Sequence, residues 1–152
     1  MSVRAERLGR GEWLLGLGSA VMLIDLFGPT WFEYRPQFHA TAAMLGQQVS
    51  ANGWQSFEVI GPLCMVVYVI GTAICWLAAT SHSPALPVVF TTLLLPATFA
   101  LMVLVALRVL LDPPSVHLAQ AGGANVIEAR PGAYIGLALS ILIFVGNYLS
   151  LR

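Results

Sequence analysis

The sequence predicts an all-α membrane protein: a bundle of four transmembrane helices that run up-down-up-down, with longer segments on the outer side. The first basis is composition. Apolar residues make up 58% of the 152 residues and charged residues only 9%, against about 25% charged in a typical soluble domain. The mean hydropathy is +0.82. Because few polar side chains remain to cover a water-facing surface, we expect a single membrane domain over residues 1–152.

The second basis is a set of four long apolar segments, at about 13–30, 57–79, 86–111 and 132–151. Each has about the 20 residues that a helix needs to cross the hydrocarbon core of a bilayer. The third contains Pro96, so we expect it to be kinked or tilted. The first follows a basic N-terminus, as the apolar part of a signal peptide would. Bulky residues stand where a cleavage site needs small ones, and an uncleaved span is expected.

The third basis is the placement of arginine, since the chain has no lysine. Three arginines lie within the first ten residues and Arg152 ends the chain, whereas the loop between the second and third segments has none. Basic residues favour the cytoplasmic side, so we expect both termini in the cytoplasm and segments 31–56 and 112–130 outside. Aromatic residues that prefer the two membrane interfaces agree: Trp13, Trp76 and Tyr148 inside, and Trp31, Tyr34, Trp54 and Tyr134 outside.

Local signals mark where the spans begin and end. Ser83 before Pro84 resembles a helix N-cap followed by proline in the first turn, and Pro131 is suited to open the fourth span. Asp112 precedes two prolines, which disfavours helix and ends the third span.

The outer segments carry weaker signals. Residues 39–53, "HATAAMLGQQVSANG", predict a short surface helix that ends at Asn52-Gly53. The second outer segment has a Gly122-Gly123 hinge, after which residues 125–130, "NVIEAR", predict a short extended piece.

Each predicted span brings one charged residue to the outer layer of the membrane. Asp25 and Arg108 stand about one turn before the ends of the first and third spans, and Glu58 and Arg130 open the second and fourth. Because Asp25 and Arg108 lie at similar depths, we expect them to form a partly buried ion pair, with Glu58 and Arg130 nearby. Ionisable residues within a membrane are candidates for function. A structural role in joining the helix ends is nevertheless favoured over a transport or binding site.

Small residues repeat every four positions along the fourth span, at Gly132, Gly136 and Ser140. Such a stripe allows another helix to approach closely. Packing within the four-helix bundle is the favoured explanation, and the alternative is a seam between two copies of the chain.

The residues that usually carry redox, metal or cofactor chemistry are few and scattered. Cys64 and Cys75 lie eleven residues apart, about 16 Å along one helix, which is too far for a disulfide. His39, His82 and His117 fall in loops without the spacing of a zinc or haem site. The sequence therefore predicts no cofactor and no enzyme activity. A net charge of zero gives no basis for binding nucleic acid.

Several short motifs, taken in order, resemble those of a group of small, uncharacterised four-span membrane proteins of actinobacteria. The matching residues are Arg10-Gly11-Glu12-Trp13, Phe27 to Trp31 with one extra residue before the tryptophan, Trp54 with Phe57, Ser83 to Val88, Arg108, and Arg130 to Leu137. The resemblance implies a four-span protein of the bacterial plasma membrane in which Arg108 and Arg130 matter. It implies no activity, and the pairing of Asp25 is not part of the likeness.

These features lead to two functional hypotheses. The first is a non-catalytic membrane protein that takes part in interaction, assembly or structure, whose partners are the lipid bilayer and either a second copy of the chain or another membrane protein. The alternative is an oligomeric transporter of ions or small solutes. The absence of a charge at the middle of any span weighs against the alternative.

Overall fold

The computed structural model describes residues 9–46, 48–57, 60–80, 85–111 and 126–152. The predicted signals at Ser83-Pro84, Asp112 and Gly122-Gly123 lie outside these residues. In chain order the elements are α1 (Arg10–Phe27), β1 (Thr30–Tyr34), a 3₁₀ turn (Pro36–Phe38), α2 (His39–Met44), β2 (Ser50–Asn52), α3 (Gly53–Ser56), α4 (Ile60–Thr80), α5 (Ala85–Leu110), β3 (Ile127–Ala129) and α6 (Pro131–Ser150).

Three of the helices are long and apolar enough to cross a membrane: Ile60–Thr80, Val89–Leu110 and Pro131–Ser150. Only 28–39% of the residues in their most apolar stretches are buried inside the protein, so most of these apolar side chains face outward. The prediction of a mainly helical chain with membrane-compatible helices is confirmed to this extent. α1 occupies the position of the remaining predicted span and is 18 residues long, but Arg10, Glu12 and Asp25 make it less apolar.

The four long helices pack side by side, with α1 and α5 each in contact with both α4 and α6. Residues without bulky side chains allow the close approach of α1 to α4, where Gly16 lies against Cys75 and Ser19 against Gly71. Since the residue numbers rise along one helix as they fall along the other, the two helices are antiparallel.

α1 and α6 also run antiparallel. Gly11 near the start of α1 contacts the end of α6, and Asp25 near the end of α1 contacts Gly136 near the start of α6. Between α5 and α6, the rings of Phe99 and Phe144 lie 5.5 Å apart. α5 continues as a helix through Pro96, and Pro131 occupies the first turn of α6, as predicted.

A three-stranded antiparallel sheet in the order β2-β1-β3 joins the segments that follow α1 and precede α6. The pairing of β1 with β2 is irregular between Thr30 and Phe32. An extra residue of this kind re-aims neighbouring side chains, and Trp31 and Phe32 are consecutive yet both buried. The bulge therefore turns Trp31 towards the helices.

The structure corrects one expectation about the first outer segment and confirms another about the second. The helix predicted from residue 39 ends at Met44, because Gly46 adopts a left-handed conformation with φ of 67° that stops helix propagation. Asn52 does not end a helix but begins α3, accepting a hydrogen bond from the Gln55 N–H at 2.9 Å. The predicted extended piece is strand β3.

The core has two parts. The larger extends between the four long helices and continues into the base of the sheet through Trp31, Phe32 and Phe57. The smaller lies at the far end of the sheet, where Ala42 of α2 packs with Tyr34 and Val126. Burial raises the pKa of the Tyr34 phenol above its usual value, so this side chain stays neutral at physiological pH.

Candidate functional site

The end of α1 is closed by side chains from the sheet. The main-chain carbonyl of Asp25 would normally accept a hydrogen bond from the residue four positions later, but that residue is Pro29, which has no N–H. The indole nitrogen of Trp31 donates to this carbonyl instead, at 3.0 Å. The carbonyl of Phe27 accepts from Asn52 Nδ2 at 3.1 Å. Strands β1 and β2 thus satisfy the free end of the helix.

Trp31 lies in a slot whose walls contain three glycines, Gly53, Gly132 and Gly136, called the Trp31 slot below. The indole is fully buried. A Cβ atom on Gly136 would collide with its six-membered ring, one on Gly53 would lie 2.8 Å from Cε2, and one on Gly132 would lie 2.6 Å from the Thr30 carbonyl oxygen. The ring of Phe57 meets the indole edge to face at 5.4 Å. Backbones from α3 and α6 therefore hold Trp31 in one position.

The carboxyl group of Asp25 faces the same slot. Asp25 is 5% exposed, and its Oδ2 atom is buried without a hydrogen-bond partner. A Cβ atom on Gly136 would lie 2.9 Å from that oxygen. A buried carboxylate without a partner is costly, so the state of this group is the main chemical question that the structure raises.

The predicted ion pair between Asp25 and Arg108 is wrong for this structure, in which Asp25 pairs with neither Arg108 nor Arg130 among the described residues. The physical reason lies in the helix packing. Asp25 on α1 turns towards α6, whereas α5, which carries Arg108 in its last turn, packs against α4 and α6 rather than beside α1. Asp25 and Arg108 were expected at the same depth in the membrane, but the helices that carry them, α1 and α5, are not neighbours. Glu58 lies outside the described residues.

Arg130 is placed instead at the centre of a polar group on the sheet, called the Arg130 cluster: Glu33, His39, Glu128 and Arg130. Its Nε atom lies 2.6 Å from Glu33 Oε2, and its Nη2 atom 3.0 Å from Glu128 Oε1. Glu33 and Glu128 are directly opposite each other on β1 and β3, where like charges would repel. Arg130 compensates both.

His39 completes the Arg130 cluster. Its Nε2 atom donates to the Tyr34 carbonyl oxygen at 2.7 Å, so this nitrogen carries the proton, and it lies 3.6 Å from Glu33 Oε1. With Arg130 bound to both acids, each carboxylate has a partner within the cluster. The arrangement suits a structural role for these side chains better than acid–base chemistry.

The small residues of α6 face inward. Gly132 contacts Thr30 and Trp31, and Gly136 contacts Trp31 and Asp25. Ser140 is 2% exposed, and its hydroxyl donates to the Leu137 carbonyl at 2.7 Å. The stripe therefore packs against the rest of the same chain, and it is not open to a second copy as the dimer alternative required.

A buried amide joins α5 to α6 at the level of Pro96. Asn147 is fully buried and lies 3.2 Å from Thr98 Oγ1. With its amide turned so that the oxygen faces the Leu95 N–H at 3.1 Å, its nitrogen donates to the Thr91 carbonyl at 3.2 Å. Asn147 thereby reaches the α5 backbone in the turn just before the proline.

The remaining sequence candidates do not form a site within the part of the chain that the structure describes. Cys64 is buried, Cys75 is half-buried and both are free thiols. No group of three or more His, Cys, Asp or Glu residues there could hold a metal ion. His82 and His117 lie outside the described residues.

Four residues of the site were not singled out from the sequence: Trp31, Glu33, Glu128 and Asn147. A signal existed for two of them. Pro29, four residues after Asp25, leaves a carbonyl that another group must satisfy. Glu128 lies two residues before Arg130 in a predicted extended piece, and this spacing puts both side chains on one face. Nothing local marks Glu33 or Asn147, whose partners are distant in the sequence.

Comparisons with models of known protein families, with curated proteins and with solved structures found no significant match to this chain.

Proposed function

We propose that this chain is a four-span integral protein of the bacterial plasma membrane that takes part in interaction or assembly and performs no catalysis. The observation that carries the proposal is the fixed attachment of the sheet. Trp31 is enclosed in the Trp31 slot and bonded to the end of α1, so the sheet is held rigidly on the helix ends. A rigid surface of this kind is suited to presenting side chains to a partner.

The proposal includes α1 as the fourth span of an up-down-up-down bundle. Its 18 residues extend about 27 Å, close to the thickness of the hydrocarbon core. Large apolar side chains line the side of α1 that faces away from its neighbours: Leu17 is 55% exposed, Val21 46% and Ile24 72%. Its charges lie in its first and last turns, and Asp25 is turned inward.

The proposed orientation puts both termini in the cytoplasm and the sheet outside. In support, Arg10 and Arg152 lie at the end of the helices opposite to the sheet, where Gly11 contacts Ser150. Arg4 and Arg7, which lie outside the described residues, add to the positive charge of the N-terminus. Membership in the group of four-span actinobacterial proteins is part of the same proposal and rests on the ordered motifs alone.

Topology is tested by labelling single cysteines on intact cells with an impermeant maleimide. Cys64 and Cys75 are first replaced by alanine. A cysteine at the exposed position Ser50 should react, whereas one at Arg152 should react only after the cells are opened. The reverse pattern would show that the orientation is inverted.

Interaction is tested by placing a photo-activated cross-linking amino acid at an exposed position on the sheet side, Gln37, in native membranes. The matched control is Leu93 on α5, which is 69% exposed and is proposed to face lipid. A discrete cross-linked protein from Gln37 but not from Leu93 supports the proposal. Cross-linking to lipid alone at both positions contradicts it.

The alternative, an oligomeric transporter of ions or small solutes, is favoured by one observation, the enclosed carboxyl oxygen of Asp25. A buried ionisable group is a feature of many transport pathways. Purified protein in liposomes should then dissipate a gradient of protons or monovalent cations, and Asp25→Asn should abolish the flux. If the vesicles retain the gradient with the natural protein as well as with Asp25→Asn, this alternative is excluded.

A further inference from the structure

We propose that the carboxyl group of Asp25 is a proton-binding site: it holds a proton in the folded protein at neutral pH, and its ionisation loosens the seating of Trp31. This inference goes beyond the proposed interaction function and does not depend on it. It concerns a group that sequence reasoning assigned to an ion pair.

The carboxyl group of Asp25 is enclosed within the protein. Asp25 is 5% exposed, and its Oδ2 atom has neither a hydrogen-bond partner nor contact with solvent. A Cβ atom on Gly136 of α6 would meet both the Trp31 ring and, at 2.9 Å, Asp25 Oδ2, so two uncharged residues border this oxygen. The Trp31 N–H is engaged by the main-chain carbonyl of Asp25. An ionised carboxylate in this place would lose its hydration, and Oδ2 would gain no donor in return among the described residues.

No described neighbour compensates a negative charge on Asp25. On the elements packed against the end of α1, the titratable residues are Glu33 and Tyr34 of β1, Cys64, Tyr68 and Cys75 of α4, and Tyr134 and Tyr148 of α6. None of them gives a hydrogen bond to Asp25 Oδ2, and the ion pairs between described residues do not include Asp25. The cation closest in the fold to the start of α6, Arg130, is bound to Glu33 and Glu128.

The surroundings of Asp25 suit a proton rather than a metal ion. Hard metal cations require about six oxygen ligands. Asp25 Oδ2 borders an indole ring and the backbone of a glycine, and no group of three or more His, Cys, Asp or Glu residues in the described part of the chain could hold a metal ion. A proton is the one cation that a single oxygen can bind in such a site.

The consequence for the fold follows from the geometry. If Asp25 loses its proton, the charge must reach water or a donor, and this requires the indole of Trp31, which borders the carboxyl group, to leave its buried position. Movement of Trp31 would break its bond to the Asp25 carbonyl and its packing in the Trp31 slot. The attachment of the sheet to the helices is therefore coupled to the proton.

The sign of the pH dependence is then determined. A group that binds its proton more tightly in the folded state than in the unfolded state stabilises the fold at low pH and loses that contribution as pH rises. Relative to Asp25→Asn, the folded-to-unfolded ratio of the natural protein should fall by up to about tenfold per pH unit, because unfolding releases one proton.

The first experiment measures thermal unfolding of the full chain in detergent between about pH 5 and pH 9, a range in which an ordinary aspartate is ionised throughout. The natural protein should lose stability as pH rises, and Asp25→Asn, a neutral mimic of the protonated acid, should match it at low pH and change less. The control is Glu33→Gln in the Arg130 cluster, which should retain the slope of the natural protein. A natural protein that gains stability with pH, or an Asp25→Asn variant less stable at every pH, overturns the proposal.

A second measurement tests the proposal even if the Asp25→Asn variant fails to fold. The chain has only two aspartates, Asp25 and Asp112, so ¹³C-aspartate incorporated into an Asp112→Asn variant labels Asp25 alone. Infrared spectra at neutral pH should show the isotope shift in the C=O band of a protonated carboxyl group. A shift confined to the carboxylate bands shows that Asp25 is ionised, and the proposal fails.

Discussion

The indole nitrogen of Trp31 donates to the main-chain carbonyl of Asp25 across 3.0 Å. This bond links the first strand of the sheet to the last turn of α1, at a carbonyl that Pro29 leaves without its usual donor. The same indole is enclosed by the backbones of α3 and α6. One side chain thus joins three parts of the fold, and its neighbours provide specific tests.

Trp31→Phe should destabilise the protein by more than the loss of ring size alone. The variant keeps an aromatic ring but leaves the buried Asp25 carbonyl without a donor, which costs about 1–3 kcal/mol. Chemical unfolding in detergent micelles measures the change. The matched control is Trp54→Phe, since Trp54 is 36% exposed and stacks on Phe27 at 5.1 Å. Equal losses in the two variants would contradict the proposed role of the indole N–H.

Gly136→Ala should lower stability by about 1–3 kcal/mol, the usual cost of overpacking a well-filled core. The added Cβ would collide with the Trp31 ring, which is fully buried. Gly61→Ala in α4 is the control, because a Cβ there meets its nearest neighbour at 3.5 Å. Alanine is the better helix former, so Gly61→Ala should be neutral or slightly stabilising. A stable Gly136→Ala variant that had merely lost a dimer would instead place this glycine on an external seam.

Arg130→Gln should weaken the sheet through repulsion between Glu33 and Glu128, which face each other on β1 and β3. The side chain of Arg130 is 36% exposed, so solvent screens the pair and the loss should not exceed about 1 kcal/mol. Adding Glu128→Gln should restore part of it, because one of the two facing charges is removed. Arg130→Lys, which retains the charge, is the control. If adding Glu128→Gln lowers the stability of the Arg130→Gln variant further, repulsion between the two glutamates is not the cause of the loss.

Asn147→Leu should destabilise the contact between α5 and α6 by about 1–3 kcal/mol, since it leaves buried polar groups of α5 unsatisfied. Leucine fills a similar volume, so the loss would be due to hydrogen bonding. Ser150→Ala is the control, because the Ser150 hydroxyl donates only to the Asn147 carbonyl within its own helix. Thermal unfolding of the two variants side by side is sufficient. A neutral Asn147→Leu change would mean that the amide is not engaged with the α5 backbone.

The positions of the long helices followed from the sequence because an apolar run of about 20 residues is a local property. The segments expected at 57–79, 86–111 and 132–151 became α4, α5 and α6 with ends shifted by at most three residues. The extended piece before Arg130 followed for the same reason, since its residues favour β structure and a proline comes directly after it. Pro131 likewise marked the start of α6.

The sheet itself was decided by tertiary structure. Its strands are three to five residues long, and β3 begins 75 residues after the end of β2, from 52 to 127, so no local pattern reveals that the strands pair. The bulge at Trp31 depends on pairing with β2, and it turns a residue expected in the interfacial belt into the buried centre of the fold.

The sequence also could not predict which residue pairs with each charged side chain. Helix length sets the depth of a residue, and depth alone suggested that Asp25 and Arg108 would meet. Which helices are neighbours, and how each is rotated about its axis, depend on the close fit of Gly16, Gly71, Gly132 and Gly136 against residues far away in the chain. That fit turns Asp25 towards Gly136 and Trp31, and it leaves the carboxyl group buried without a counter-ion among the residues that the structure describes.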